Sequence, residues 1–371
     1  MPAILEEIST FRDDYSEGAH PAILAALLES NRTQERPYGA DEHSNAARRL
    51  ICARLGCSPS EAAIHFVPSG TAANRLCIAA CLRPFEAVIT LDAGHIVAKE
   101  AGAIENTGHK TILVPPERHT GKLVPAGIEK AVAQHSFHPH SPRPRLVYLS
   151  NASENGTVYS RSELHALSAT CRRLNLLLMI DGARLGVALR SPAAQGLTLR
   201  DLFQLTDLFW IGGTKCGALL GEAIVVRNRV IADDFILHLK QHGALLAKGR
   251  VLGVQFEELF KDPTPSSSSS SSSSEDCLYF RLADHANEMA RRIGSLFESR
   301  GYALAAPVQS NLLFVAVPRS LADRLGERFG VYVWEEREED VVVRLVTSWA
   351  TEKLQVDKLA AWLESIECVV D

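Results

Sequence analysis

An acid and an amine thirty-four residues apart, Asp181 and Lys215, each stand where an apolar run gives way to small residues. The run Leu176–Ile180 delivers Asp181, with Gly182-Ala183-Arg184 behind it, and the run Asp207–Ile211 ends in Gly212-Gly213-Thr214-Lys215. Taken singly, each has a plain structural reading: an Asp that caps the next helix, or an exposed loop cation. Ser69-Gly70-Thr71 supplies a third part, because it follows the run Ala62–Val67 and opens an apolar helix through Cys81. A helix N-terminus with free amides and a hydroxyl seats a phosphate, although Ser69 alone would merely cap that helix. A Schiff-base lysine, a carboxylate to pair with a pyridinium nitrogen, and a phosphate seat together are what pyridoxal 5'-phosphate chemistry needs. His95, after Asp92-Ala93-Gly94, could stack on a planar ring or be an ordinary surface or core histidine. Arg344, in the alternating run Val341–Val346, is either a half-buried structural cation or a bidentate clamp for a substrate carboxylate.

These residues meet only if a sheet brings them to one edge. From Glu61 to about Arg227 short apolar runs alternate with helical patterns, which predicts βα units around a buried parallel sheet. The expected strands are Ala62–Val67, Ala87–Leu91, Lys110–Val114, Arg145–Leu149, Leu176–Ile180, Leu208–Ile211 and Ala223–Val226. Seven of them with intervening helices imply an α/β fold, a doubly wound and mostly parallel sheet, and such sheets bind ligands beyond the carboxyl ends of their strands. A helical stretch from about Ala232 to Phe260 meets Asp262-Pro263-Thr264-Pro265 and nine serines, Ser266–Ser274, read as a flexible surface loop. Beyond it a helix at Leu278–Ser299, strands at Asn311–Val317, Val331–Trp334 and Val341–Val346, and an amphipathic helix from Thr351 form a smaller C-terminal α+β domain. The expected division is an N-terminal arm over 1–30, a large cofactor-binding domain over 31–262, the serine-rich loop over 263–275 and the small domain over 276–371.

Composition narrows the class. The chain has 371 residues, 46% hydrophobic and 22% charged, as a soluble two-domain protein would. A net charge of −5 with both signs mixed supplies no broad basic surface, so neither nucleic acid nor an anionic membrane is an expected partner. Eight cysteines stand singly, without CxxC or zinc-ligand spacing, as reduced thiols of a cytoplasmic protein that holds no metal. Cys77 and Cys81, four apart on an apolar helix, read as packing. The stretch Met1–Phe11 lacks the pattern of a secretory signal, and no apolar run approaches membrane-spanning length.

The order of motifs resembles the low-specificity threonine aldolases of the β-eliminating lyase group, fold-type I pyridoxal-phosphate enzymes, over nearly the whole chain. The matching stretches are Phe11–Pro21 (FRDDYSEGAHP), Tyr38–Glu42 (YGADE), Val67–Asn74 (VPSGTAAN), Gly94-His95-Ile96 with Glu100–Ala103, Glu154–Tyr159 (ENGTVY), Met179–Leu185 (MIDGARL), Gly212–Gly217 (GGTKCG), Lys248–Arg250 and Val343–Ala350 (VRLVTSWA). The resemblance implies that Ser69, Gly70 and Thr71 hold the cofactor phosphate with help from Arg250 and Lys248. It puts His95 against the ring, Asp181 on its nitrogen, Arg184 on its phenolic oxygen or the substrate, Lys215 as the Schiff-base lysine and Arg344 on the substrate carboxylate. Tyr38 would reach a phosphate across a subunit boundary, since the family assembles as dimers of dimers. The implied reaction cleaves the Cα–Cβ bond of a β-hydroxy-α-amino acid to glycine and an aldehyde. Another cofactor-dependent reaction of a small amino acid is the alternative, with an inactive binding relative behind it.

Three departures qualify the resemblance. Asp13 stands where the family usually has a serine beside the substrate carboxylate, and two facing carboxylates repel by about 1 kcal/mol or more at roughly 4 Å. Either Asp13 is turned away or the substrate differs. Ser153 stands where the better-known branch has a histidine reaching the substrate hydroxyl, which leaves the general base unassigned. Cys216 replaces the usual Asn after the lysine, and the serine run is an insertion.

Overall fold

A computed structural model describes residues 10–262 and 276–367. The serine run and the outermost residues of both ends lie outside the described residues. Seven strands form one sheet: β1 (Ala63–Val67), β2 (Glu86–Leu91), β3 (Lys110–Val114), β4 (Arg143–Ser150), β5 (Leu177–Asp181), β6 (Leu208–Gly212) and β7 (Glu222–Val226). Their spatial order is β1-β7-β6-β5-β4-β2-β3. The neighbours from β3 to β6 pair in parallel, whereas β7 is antiparallel to both β1 and β6.

The alternation of side chains along each strand explains why these runs are apolar throughout. Leu178, Ile180, Phe209, Ile211 and Val225 enter one core, and Met179, Leu208, Trp210, Ile224 and Val226 enter another. A sheet buried on both faces has no side left for polar residues. Polar groups lie mainly toward the strand ends, His65 in the middle of β1 being an exception.

The expected helix over Ala232–Phe260 is three helices, Arg229–Ala232, Phe235–Gln241 and Arg250–Phe260. Gly243 breaks it with φ 74°, and Gly249 lies so close to Gly39 that a Cβ would come within 2.7 Å of its backbone nitrogen. The ends of the expected strands shift by one or two residues, and β5 includes Asp181.

A second, antiparallel sheet has the order β8 (Leu312–Val317), β10 (Val341–Val346), β9 (Tyr332–Glu336). Phe297, Leu325, Phe329, Val343 and Leu359 build its core, which Phe11 completes at zero exposure. Phe11 is strapped there by two backbone bonds, its own N–H to the Phe329 carbonyl at 2.9 Å and the Val346 N–H to its carbonyl at 2.8 Å. The strap fixes where the next residues, Asp13 to Tyr15, reach the large sheet. The helix Leu278–Glu298 packs its first half in the large core and its second half in the small one. Among the described residues no helix is long and apolar enough to cross a membrane.

Candidate active site

At the edge where β1, β4, β5 and β6 end, a cavity of about 260 Å³ gathers Ser69, His95, Asp181, Arg184, Lys215 and Glu222. The helix Gly70–Cys81 points its N-terminus into it, with Ser69 as cap accepting from the Ala72 N–H at 3.2 Å. Gly70 meets the need for close approach: a Cβ there would stand 2.9 Å from Cη2 of Trp210. Thr71 completes this wall. A tight turn of small and hydroxyl residues on a twelve-residue helix is able to seat an anion.

Asp181, 3% exposed, is held by three donors. Tyr148 OH (2.5 Å) and Asn74 Nδ2 (2.9 Å) reach Oδ2, and the Ala183 N–H reaches Oδ1 at 2.9 Å. Asn74 is itself fixed, donating to Glu100 Oε1 at 2.8 Å and accepting from Trp210 Nε1 at 2.9 Å. Glu100 Oε1 also sits 2.7 Å from His95 Nδ1, which commits that nitrogen and leaves Nε2 for a ligand. The His95 N–H donates to Glu154 Oε1 at 3.0 Å, and burial raises the Glu154 pKa against bonds from Ser150 and His95. The imidazole, the acid and the anion seat are thereby tied to one hydrogen-bonded frame.

Lys215 follows β6 through the glycine turn, with Nζ 5.6 Å from the centroid of Tyr15. Burial first, then the Arg184 charge, lower its pKa, while Asp14, Asp181 and Glu222 oppose them. The net direction favours the neutral, nucleophilic amine. Glu222 bonds Gly213 and Thr214 beside it, and burial pushes Glu222 up to about 7. The adjacent Cys216 thiol is buried, donates to the Tyr279 carbonyl at 3.4 Å and is pushed up by burial, so it carries no charge beside the lysine.

The arginines differ in their commitments. Arg184 grips Asp14 through Nε at 2.7 Å and Nη2 at 2.9 Å, and Asn311 Nδ2 donates to Asp14 at 2.9 Å. Burial raises the Asp14 pKa, but the Arg184 and Lys215 charges and these bonds outweigh it and hold the carboxyl below its ordinary value. Arg344 makes one bond, from Nη2 to the Arg12 carbonyl at 3.2 Å, and its guanidinium stacks on Tyr332 and Trp334 at 4.6 and 5.2 Å. Its buried Nε has no partner among the described residues. Asp13 Oδ1 accepts from the Tyr15 N–H at 3.2 Å. The Ser153 hydroxyl lines the cavity but is engaged by Asn155 at 2.5 Å and Thr157 at 2.7 Å.

Tyr38 and Arg250 stand apart from this cavity within the single chain. Arg250 bonds the Thr33 carbonyl and hydroxyl and the Asn31 carbonyl, beside Lys248 in a separate cleft. Tyr38, 46% exposed, carries Lys240 over its ring at 4.9 Å. Sequence reasoning also missed residues. Asn74, Glu100 and Glu154 lay inside matching fragments without a role, and Asp14 was hidden beside Asp13. The signal for Glu222 was an acid opening an otherwise apolar strand.

Comparison with known proteins gives a consistent picture. A family profile described as beta-eliminating lyase matches residues 11–320. A low specificity L-threonine aldolase of Pseudomonas aeruginosa is 34% identical, over 94% of this chain and 95% of its own. One from a Pseudomonas species is 32% identical over 97% and 99%. A solved structure of Leishmania major threonine aldolase superposes with a TM-score of 0.89 at 40% identity, covering 96% of this chain and 99% of its own. An aspartate aminotransferase of Thermus thermophilus, at 14% identity and a TM-score of 0.66 over 95% and 90%, shares the fold.

Proposed function

Since the chain belongs to the low-specificity threonine aldolase family of beta-eliminating lyases, we propose that it cleaves the Cα–Cβ bond of small β-hydroxy-α-amino acids. L-threonine and L-allo-threonine are the type substrates, glycine and an aldehyde the products, and pyridoxal 5'-phosphate the cofactor. The observation that carries this reading is the convergence of Asp181, Lys215 and the Ser69–Thr71 helix start on one cavity. The donor set fits the cofactor: a fixed carboxylate at one end, a helix N-terminus kept open by Gly70 at the other, and an amine of lowered pKa between them.

Bound there, the cofactor supplies an electron sink for the pair left on Cα. Ser69, Gly70 and Thr71 would hold its phosphate, Asp181 its ring nitrogen, His95 a ring face, and Lys215 its carbonyl carbon. Arg344 would orient the substrate carboxylate and so select the bond that breaks, an entropic contribution. Arg184 is kept in place by Asp14 and retains Nη1, the guanidinium nitrogen not spent on that pair. Tyr38, Lys248 and Arg250 would serve the phosphate of a neighbouring copy in a homodimer or dimer of dimers, in the cytoplasm. Asp13, the residue that favours a different reaction, has one carboxyl oxygen engaged by the Tyr15 N–H.

Purified protein is expected to be yellow and to release glycine and aldehyde in equal amounts from threonine or phenylserine. Lys215→Ala should abolish both the colour and the activity. Release of pyruvate or a D-amino acid in place of glycine would sink the aldolase reading. A panel of threonine and phenylserine stereoisomers would set the preference at Cβ.

A further inference from the structure

Six strands of the large sheet run in one direction and β7 runs in the other. The residue that β7 brings to the cavity is therefore its first, Glu222, opposite Gly212 of β6 and Val67 of β1. It is 4% exposed. Oε2 accepts from the Gly213 N–H at 2.9 Å and Oε1 from the Thr214 hydroxyl at 2.8 Å, and that hydroxyl accepts from the Gly221 N–H at 3.0 Å. Both carboxyl oxygens are thus spent on the two residues that precede Lys215. A neutral amide offers one acceptor oxygen in place of two, and would turn an NH2 donor toward one of these two donors.

The charged groups acting on Lys215 are Arg184 after β5, Asp14 from the N-terminal segment, Asp181 at the end of β5, and Glu222. Asp14 is spent on Arg184, and Asp181 on Tyr148 and Asn74. Glu222 alone among these acids is hydrogen-bonded into the lysine turn. We propose that Glu222 is a positioning residue for Lys215, fixing the turn that carries the amine and standing as its buried counter-charge. Burying a carboxyl costs free energy unless its bonds and a nearby cation offset it, and Lys215 is the cation that acts on it. The charge on Glu222 consequently keeps Lys215 protonated to a higher pH than the other neighbours alone would.

The inference rests on Lys215 as the cofactor lysine, and the two readings fail separately. A cofactor band that survives Lys215→Ala would defeat that assignment. The inference itself is tested on cofactor-free protein by trace labelling with acetic anhydride across pH, followed by peptide mass spectrometry, with exposed Lys110 as the internal reference. Glu222→Gln should lower the pH of half-labelling at Lys215 by about half a unit or more, leaving Lys110 unmoved, and Glu222→Asp should restore part of the shift. An unmoved Lys215 titration in a folded Glu222→Gln protein overturns the proposal. If the glutamine variant does not fold, Glu222→Asp decides, because it retracts the charge by one methylene: a shifted titration supports the proposal, and one superimposable on the wild type overturns it.

Discussion

Asp181, inside the cavity, and Arg344, outside its lining but within reach of the Arg184 and Asp14 charges, are held on opposite terms. Around Asp181 three donors of the protein itself, Tyr148, Asn74 and the Ala183 N–H, fix the carboxyl and leave one acceptor site on Oδ1, and Asn74 is in turn locked by Glu100 and Trp210. Around Arg344 there is, among the described residues, one backbone bond, an unpartnered Nε and two stacked rings, of which Trp334 is 36% exposed. Groups that hold a resident cofactor can be satisfied and rigid before it arrives, because preorganised dipoles cost nothing to reorganise at the moment of reaction. A group that must exchange a ligand at every turnover needs donors that the protein has left open.

This contrast can be broken most forcefully on the rigid side. Asp181→Asn keeps the shape but removes the charge, and kcat should fall about 10²–10³-fold, some 3–4 kcal/mol in the transition state. KM should change little, and a KM effect as large as the kcat effect in steady-state kinetics would erase the distinction. A stability measurement sharpens the same side. Glu222 has a folded pKa of about 7, above the ordinary 4.5, so its contribution is complete below 4.5 and is lost as pH climbs through about 7. Urea unfolding from mildly acidic to neutral pH should show the wild type losing about 2–3 kcal/mol more than Glu222→Gln over that window. Parallel pH curves for the two proteins would count against a carboxyl of raised pKa. Asp14 has the opposite sign, since its pKa is lowered, and its contribution disappears only as pH falls below the ordinary carboxylate range. The smallest effect belongs to the open side: Arg344→Lys, which loses the forked donor, should raise KM about tenfold, near 1.4 kcal/mol, with kcat much less affected.

The large sheet was legible because strands buried on both faces are continuous apolar runs, and the site residues at the ends of parallel strands came with it. Ser69, His95, Asp181 and Lys215 meet at one cavity for that reason. The reversal of β7 has no local signal, so Glu222 lay at the wrong end for a rule that looks after each strand. Asn74, Glu100 and Asp181 meet from distant segments, and their bonds are properties of the packed molecule. Asp13 and Asp14 are adjacent acids, and only the fold shows that the buried partner of Arg184 is Asp14. The turn at Gly243 is a local property of a glycine at positive φ, whereas the close approach of Gly249 to Gly39, more than two hundred residues earlier, belongs to the packed molecule.

The helix Leu278–Glu298 gives the molecule a shared beam. Its 21 residues span about 31 Å without interruption, with Leu282 and Ala286 at one end among the large-sheet residues and Ile293 and Phe297 at the other among the small-sheet ones. Neither core can melt without stripping half of a helix from the other. Heat should therefore take the described parts of the protein apart in a single cooperative step, and the small sheet, with Arg344 on its middle strand, should not come loose first.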